Sequence, residues 1–120
     1  MALKNRHVAD TIQKIQARLE KFRVGYSAGS DHIQPDAEVF ESVSKFVDAL
    51  DGFEKLTEPR ISITPVGSIG LTWLGDNGRM YVEFKNGGHG LAYSLLRADG
   101  AEDYGAKGSQ AIEILKNFVR

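Results

Sequence analysis

Cysteine is absent from the sequence. Its absence excludes disulfides, thiolate metal sites and the cysteine–histidine class of nucleophile, and it suits a reducing compartment. No apolar run approaches the ~20 residues needed to cross a bilayer. The opening Met-Ala-Leu-Lys-Asn-Arg-His lacks the apolar centre of a signal peptide. The chain therefore reads as a soluble, cytoplasmic protein. A strong net charge is missing as well: 15 basic against 16 acidic residues leave −1, which argues against wholesale binding to a polyanion. Nor is there a Gly-x-Ser-x-Gly elbow or a Gly-Lys-Ser/Thr phosphate loop.

What the chain does have is glycine, 13 residues in 120, much of it punctuating one alternating stretch. From Arg60 the chain runs Ile61, Ile63, then Gly67-Ser68, then Ile69-Gly70-Leu71-Thr72-Trp73 at period two. Gly75-Asp76-Asn77-Gly78 supplies residues that tolerate positive φ in a tight turn. Met80, Val82 and Phe84 then alternate with Arg79, Tyr81, Glu83 and Lys85, and after Asn86-Gly87-Gly88-His89-Gly90 the apolar face resumes with Leu91, Tyr93 and Leu95. Half-buried antiparallel strands alternate in this way. The stretch predicts a meander of three to four strands, one face of which must be covered.

Helices are the expected cover. Val8, Ile12, Ile15, Leu19 and Phe22 form an apolar stripe over residues 4–22. A second helix is expected from Asp36 to Leu50, opened by Pro35, closed by Asp51-Gly52, and carrying Val39, Phe40, Val43, Phe46, Val47 and Leu50 at helical spacing. A third should follow Gly108, with Ser109 as N-cap and Ile112, Leu115, Phe118 and Val119 turned inward. The fold class is α+β: two N-terminal helices, the meander, and a C-terminal helix packed on one sheet face. Length and the lack of a repeat or long linker give one domain over residues 1–120.

Charge is segregated. Through Val24 there are six basic residues and two acids, whereas Gly25 to Glu58 holds two and eight. Lys4, Lys14, Arg18 and Lys21 share a stripe of the first helix with His7 and Thr11. One reading pairs this stripe with Glu38, Glu41 and Asp48 of the second helix, selecting alignment more than adding stability, because exposed ion pairs contribute only about 0–1 kcal/mol. The other has it track phosphates along a helix about 26 Å long at roughly 1.5 Å per residue.

Candidate chemistry is sparse. The glycines of the meander lie between strands, so no helix N-terminus awaits a phosphate behind them. Gly105-Ala106-Lys107-Gly108-Ser109 does precede a helix, but its order departs from a phosphate loop. His7, His32 and His89 lack a ligand spacing, and His32 and His89 read as solvated loop residues. Asp99, Glu102 and Asp103 read as a polar turn. No catalytic, metal or cofactor residue is assigned. Tyr81, flanked by Arg79 and Glu83 and followed by Lys85, is the residue type enriched at protein interfaces, and the acidic segment ending in Tyr104 is a second candidate patch.

The run Glu58-Pro59-Arg60-Ile61-Ser62-Ile63-Thr64-Pro65, Gly67 to Trp73, and Met80 to Phe84 resembles a meander of small bacterial and mobile-element proteins that share a Pro-x-Ile, Gly-x-Ile-x-Leu-x-Trp style of signature. It covers about a third of the chain and brings no catalytic residue. The resemblance implies a small accessory protein that binds another macromolecule, for example a phage or mobile-element inhibitor of a host defence complex. The expectation is accordingly a non-enzymatic protein-binding module using Arg79, Tyr81, Glu83 and Lys85. A nucleic-acid-binding accessory factor using Lys4, Lys14, Arg18 and Lys21 is the alternative, and an edge strand is free to pair two copies.

Overall fold

In the computed structural model, residues 5–88 and 90–119 are described; Lys4 and His89 lie outside them. Helix α1 (Arg6–Gly25) and helix α2 (Ala37–Asp48) precede five strands, β1 (Arg60–Ile63), β2 (Ile69–Gly75), β3 (Gly78–Phe84), β4 (Leu91–Arg97) and β5 (Glu102–Gly105), and helix α3 (Gly108–Phe118) follows. The strands form one antiparallel sheet in sequence order. The α+β meander is as expected, with one strand more.

That strand is β5, where a polar turn was expected. Asp103 faces Leu95 and Gly105 faces Tyr93 across the β4 ladder. Arg97 clasps Asp103 at 2.8 Å. With aspartate and glycine at the positions that face the core side, β5 has no alternating apolar signal, and its pairing with β4 makes it a strand.

The inward residues of β2, β3 and β4 line up in register: Ile69, Phe84 and Leu91; Leu71, Val82 and Tyr93; Trp73, Met80 and Leu95. All but the half-buried Leu91 are buried. α2 seals them with Val39, Phe40, Val43, Phe46 and Val47, and the Phe46 and Phe84 rings meet edge to face at 5.2 Å. α3 covers the same face through Ala111 and Leu115. α1 packs on α2 through the seam Val8, Ile15 and Leu19. Thr11, read from the sequence as part of the basic stripe, lies in this seam and donates to the carbonyl of His7 at 2.9 Å. The molecule measures 42 × 36 × 22 Å. Its shortest dimension has room for one helix layer of ~10–12 Å and one sheet.

The turns refine two local expectations. The β2–β3 hairpin places its positive φ on Gly78, at 135°, and on neither Asp76 nor Asn77. A Cβ there would sit 2.0 Å from the Leu96 carbonyl oxygen. α3 begins two residues earlier than expected, with Lys107 at the N-cap and no side-chain cap, so Ser109 lies inside the helix.

Between α2 and β1, a short 3-10 turn (Ala49–Gly52) leads into an irregular segment that buries Phe53 and Leu56. Its carbonyls are met by side chains instead of a ladder. Asn5 donates to Phe53 at 2.9 Å, His7 Nε2 to Leu56 at 3.0 Å, Trp73 Nε1 to Thr57 at 2.8 Å and Arg18 to Pro59 at 3.1 Å. A carbonyl oxygen can only accept, so the proton of that His7 bond sits on Nε2.

Asp36 joins α2 to the sheet. One carboxylate oxygen caps the helix by accepting from Val39 N–H at 2.9 Å, and the other accepts from Gly87 N–H at 2.8 Å in the β3–β4 connection. Asn86 returns the contact, accepting from Asp36 N–H at 2.9 Å. Asp36→Ala should destabilise the fold by about 1–2 kcal/mol, the usual range for a lost cap. Asp36→Asn should fall between, because its amide oxygen can still cap while its NH2 opposes the Gly87 donor. Chemical denaturation of the three proteins measures the order.

Candidate interaction face of the sheet

With the helices of the described residues packed on one face, the alternate side chains of all five strands form an open face. Register arranges them in rows. Arg60, Thr72, Tyr81, Ser94 and Tyr104 cross the full sheet; Leu74, Arg79, Leu96 and Glu102 form the next row, and Ser62, Gly70, Glu83 and Ala92 lie on the other side. Arg79, Tyr81 and Glu83 thus share this face as expected. Lys85 lies beyond β3, in the connection to β4, where its N–H donates to the Gly90 carbonyl at 2.9 Å. The structure adds Arg60, Leu74, Leu96 and Tyr104 to the face. Register brings them there, and pairing register is not written in any one strand.

Tyr81 lies across the sheet. A Cβ at Gly70 would come within 2.6 Å of its Cε1 and 2.7 Å of its hydroxyl oxygen, so the ring occupies the space above that glycine. Its hydroxyl donates to Glu83 at 3.4 Å. Burial raises the Tyr81 pKa, and the Glu83 carboxylate raises it further by its charge and as hydrogen-bond acceptor. The neutral phenol is therefore the form that this face holds.

Beside the ring is a depression of about 350 Å³ lined by Arg60, Thr72, Leu74, Arg79, Tyr81 and Ser94. Two guanidinium groups and three hydroxyls border it. Among the described residues, Arg18, Arg23 and Arg97 pair with carboxylates, whereas neither Arg60 nor Arg79 has one within ion-pair distance. Large apolar side chains surround the site: Leu74 is 62%, Leu96 37% and Tyr104 77% exposed.

The α1 stripe does not make the ion pairs to α2 that one reading of the sequence expects. Arg18 turns to Glu58, at 3.6 Å, and to the Pro59 carbonyl. Among the described residues no ion pair links α1 to α2. Their polar contact is made by Gln16, which donates to the Ser44 carbonyl and to Asp48, both at 3.0 Å. Glu41 pairs within its own helix with Lys45 at 3.3 Å. Lys14 and Lys21 remain exposed.

His32 is exposed in the α1–α2 loop. Among the described residues no three His, Asp or Glu side chains gather as a metal site would require, and no helix is long and apolar enough to cross a membrane. Comparison with protein-family models, curated proteins and solved structures finds no match to this chain.

Two outcomes test this geometry. Gly70→Ala should cost about 1–2 kcal/mol through crowding against Tyr81. In a Tyr81→Ala background most of that cost should disappear, leaving the Ser62 Oγ at 2.9 Å to set against the roughly 0.5–1 kcal/mol by which alanine outperforms glycine in a strand; a double-mutant cycle in urea reads the difference. In an ultraviolet pH titration referenced to Tyr81→Phe, Tyr81 should ionise above the ordinary tyrosine value of about 10. Glu83→Gln should lower that pKa only part of the way, because burial is the larger cause. A raised folded pKa means that this group's contribution to stability is intact below about pH 10 and declines as pH climbs through the folded value.

Proposed function

We propose that the chain is a non-enzymatic protein-binding module whose docking surface is the open face of the sheet. The observation that carries this reading is the make-up of that face. The uncovered side of an antiparallel sheet is ordinarily polar. Here Leu74, Leu96 and Tyr104 are exposed beside Tyr81, Arg60 and Arg79. Aromatic and arginine side chains are the usual energetic anchors of protein interfaces.

The dimensions set what kind of footprint it makes. Five strands at ~4.8 Å spacing and a run of about 20 Å along them give roughly 400 Å² in plan. A standard interface buries about 800 Å² per partner, so the face serves as the anchor of a footprint that extends past the sheet edge. The resemblance of the meander to mobile-element proteins supports a narrower form, inhibition of a host complex, in which this module acts by occupying a surface and saturates at one copy per site.

Affinity purification with Leu74→Glu and Tyr104→Ala variants tests the assignment, with Lys14→Glu and Lys21→Glu on α1 as the comparison. A partner recovered with wild type and with the α1 variants, in salt-tolerant fashion, and lost with the face variants is the expected result. Loss with the α1 variants alone, together with a steep salt dependence, would transfer the function to the helix and to nucleic acid. Circular dichroism of each variant establishes that the fold is retained.

A further inference from the structure

We infer that the depression on the open face is a carboxylate-recognition site, and that the surface docking there is an acidic segment of a partner protein. The inference rests on the protein-binding reading and supplies its chemistry.

Arg60 on β1 and Arg79 on β3 reach the same hollow from either side of β2. Among the described residues neither has a carboxylate partner. The acids on this face are committed or distant. Glu83 accepts the Tyr81 hydroxyl. Glu102 stands in the Arg79 row with Leu96 between them, two strand spacings or about 10 Å away. That distance is about one Debye length at 0.1 M salt, so Glu102 neutralises Arg79 only weakly.

Two like charges at one hollow repel, and an anion between them removes the repulsion. The guanidinium fork suits a carboxylate, which can accept two parallel hydrogen bonds from it. Thr72, Tyr81 and Ser94 line the same hollow with hydroxyls. Tyr81 has its proton directed to Glu83, so Thr72 and Ser94 are the hydroxyls free to donate. Leu74 borders the hollow as an exposed apolar side chain, and a partner that covers it excludes water and strengthens a charged contact.

The layout favours carboxylate over a nucleic-acid backbone. A chain of phosphates leaving the arginine pair along the sheet meets Glu83 in one direction and Glu102 in another. A short acidic peptide can place one or two carboxylates in the hollow and apolar side chains on Leu96 and Tyr104.

Titration of the full isotope-labelled chain with a peptide alternating glutamate and leucine tests the site. Amide shifts should centre on Arg60, Thr72 and Tyr81. Arg60→Ala and Arg79→Ala should each weaken binding roughly tenfold or more, the range of a charge-assisted hydrogen bond. Lysine at either position should recover only part, since it lacks the fork. Shifts centred elsewhere, or affinity unchanged in the alanine variants, would overturn the inference. So would equal or tighter binding of a thymidine oligonucleotide at matched ionic strength, or displacement of the peptide by millimolar inorganic phosphate, which would mark a simple anion site.

Partner capture separates the two levels of argument. If Leu74→Glu abolishes capture while the Arg60→Ala, Arg79→Ala double variant retains it, docking on the face stands and carboxylate recognition falls. Loss in both supports both, and retention with Leu74→Glu removes the docking surface itself.

Discussion

A sheet covered on one side only has to send the side chains that make its core to that side. Here the period-two alternation of β2, β3 and β4 meets this demand through nine consecutive inward positions, from Ile69 to Leu95. A slip of one residue in any pairing would turn Trp73 or Phe84 to water and bring Arg79 or Glu83 into the core. Gly78 adds a local lock, because the backbone of β4 passes so close that a side chain would overlap the Leu96 carbonyl. The core and the open face are therefore two products of one register, and the rows of the open face are as firmly placed as the core residues beneath them.

The same close-packing rule shapes both faces through tyrosines laid over glycines. On the open side Tyr81 lies over Gly70. On the helical side the Tyr93 ring occupies the space of a Gly105 side chain, and its hydroxyl donates to Gln110 of α3 at 3.3 Å. The first arrangement lowers Tyr81 onto the sheet, so that what would have been a projecting ring becomes a wall of the hollow between Arg60 and Arg79. The second ties the short, polar β5 to the helix layer. Glycine within a strand ordinarily weakens it, and in both places the neighbouring aromatic fills the space.

Legibility in the sequence followed the physical signal each element carries. The central strands and α2 were readable because long-range packing and local periodicity agree in them. β5 was not, since Asp103 and Gly105 occupy its inward positions and its strand character comes from Arg97 and Tyr93 across the ladder. Phe53 and Leu56 are core residues in a segment with no period at all, held by donors from α1 and β2. On the open face, Arg79, Tyr81 and Glu83 could be grouped from their spacing along one strand. Arg60 and Tyr104 belong with Tyr81 only through the register of four pairings, which links residues up to 44 positions apart. Alternation along the sequence also runs on to Lys85, one residue past the end of the β3–β4 ladder.

Sign segregation along the chain suggested that basic charge on α1 was the feature to explain, either by α2 or by phosphate. The structure redistributes it. Arg18 serves the irregular segment before β1, holding Glu58 and the Pro59 carbonyl, while α1 and α2 are aligned by the uncharged Gln16. Both contacts use Nη1 and turn the guanidinium toward the segment that follows the buried Leu56. Arg60 and Arg79 carry no such obligation. Moving them toward a ligand breaks no ion pair among the described residues, and on that ground the proposed interaction draws its charge from the sheet in preference to Arg18.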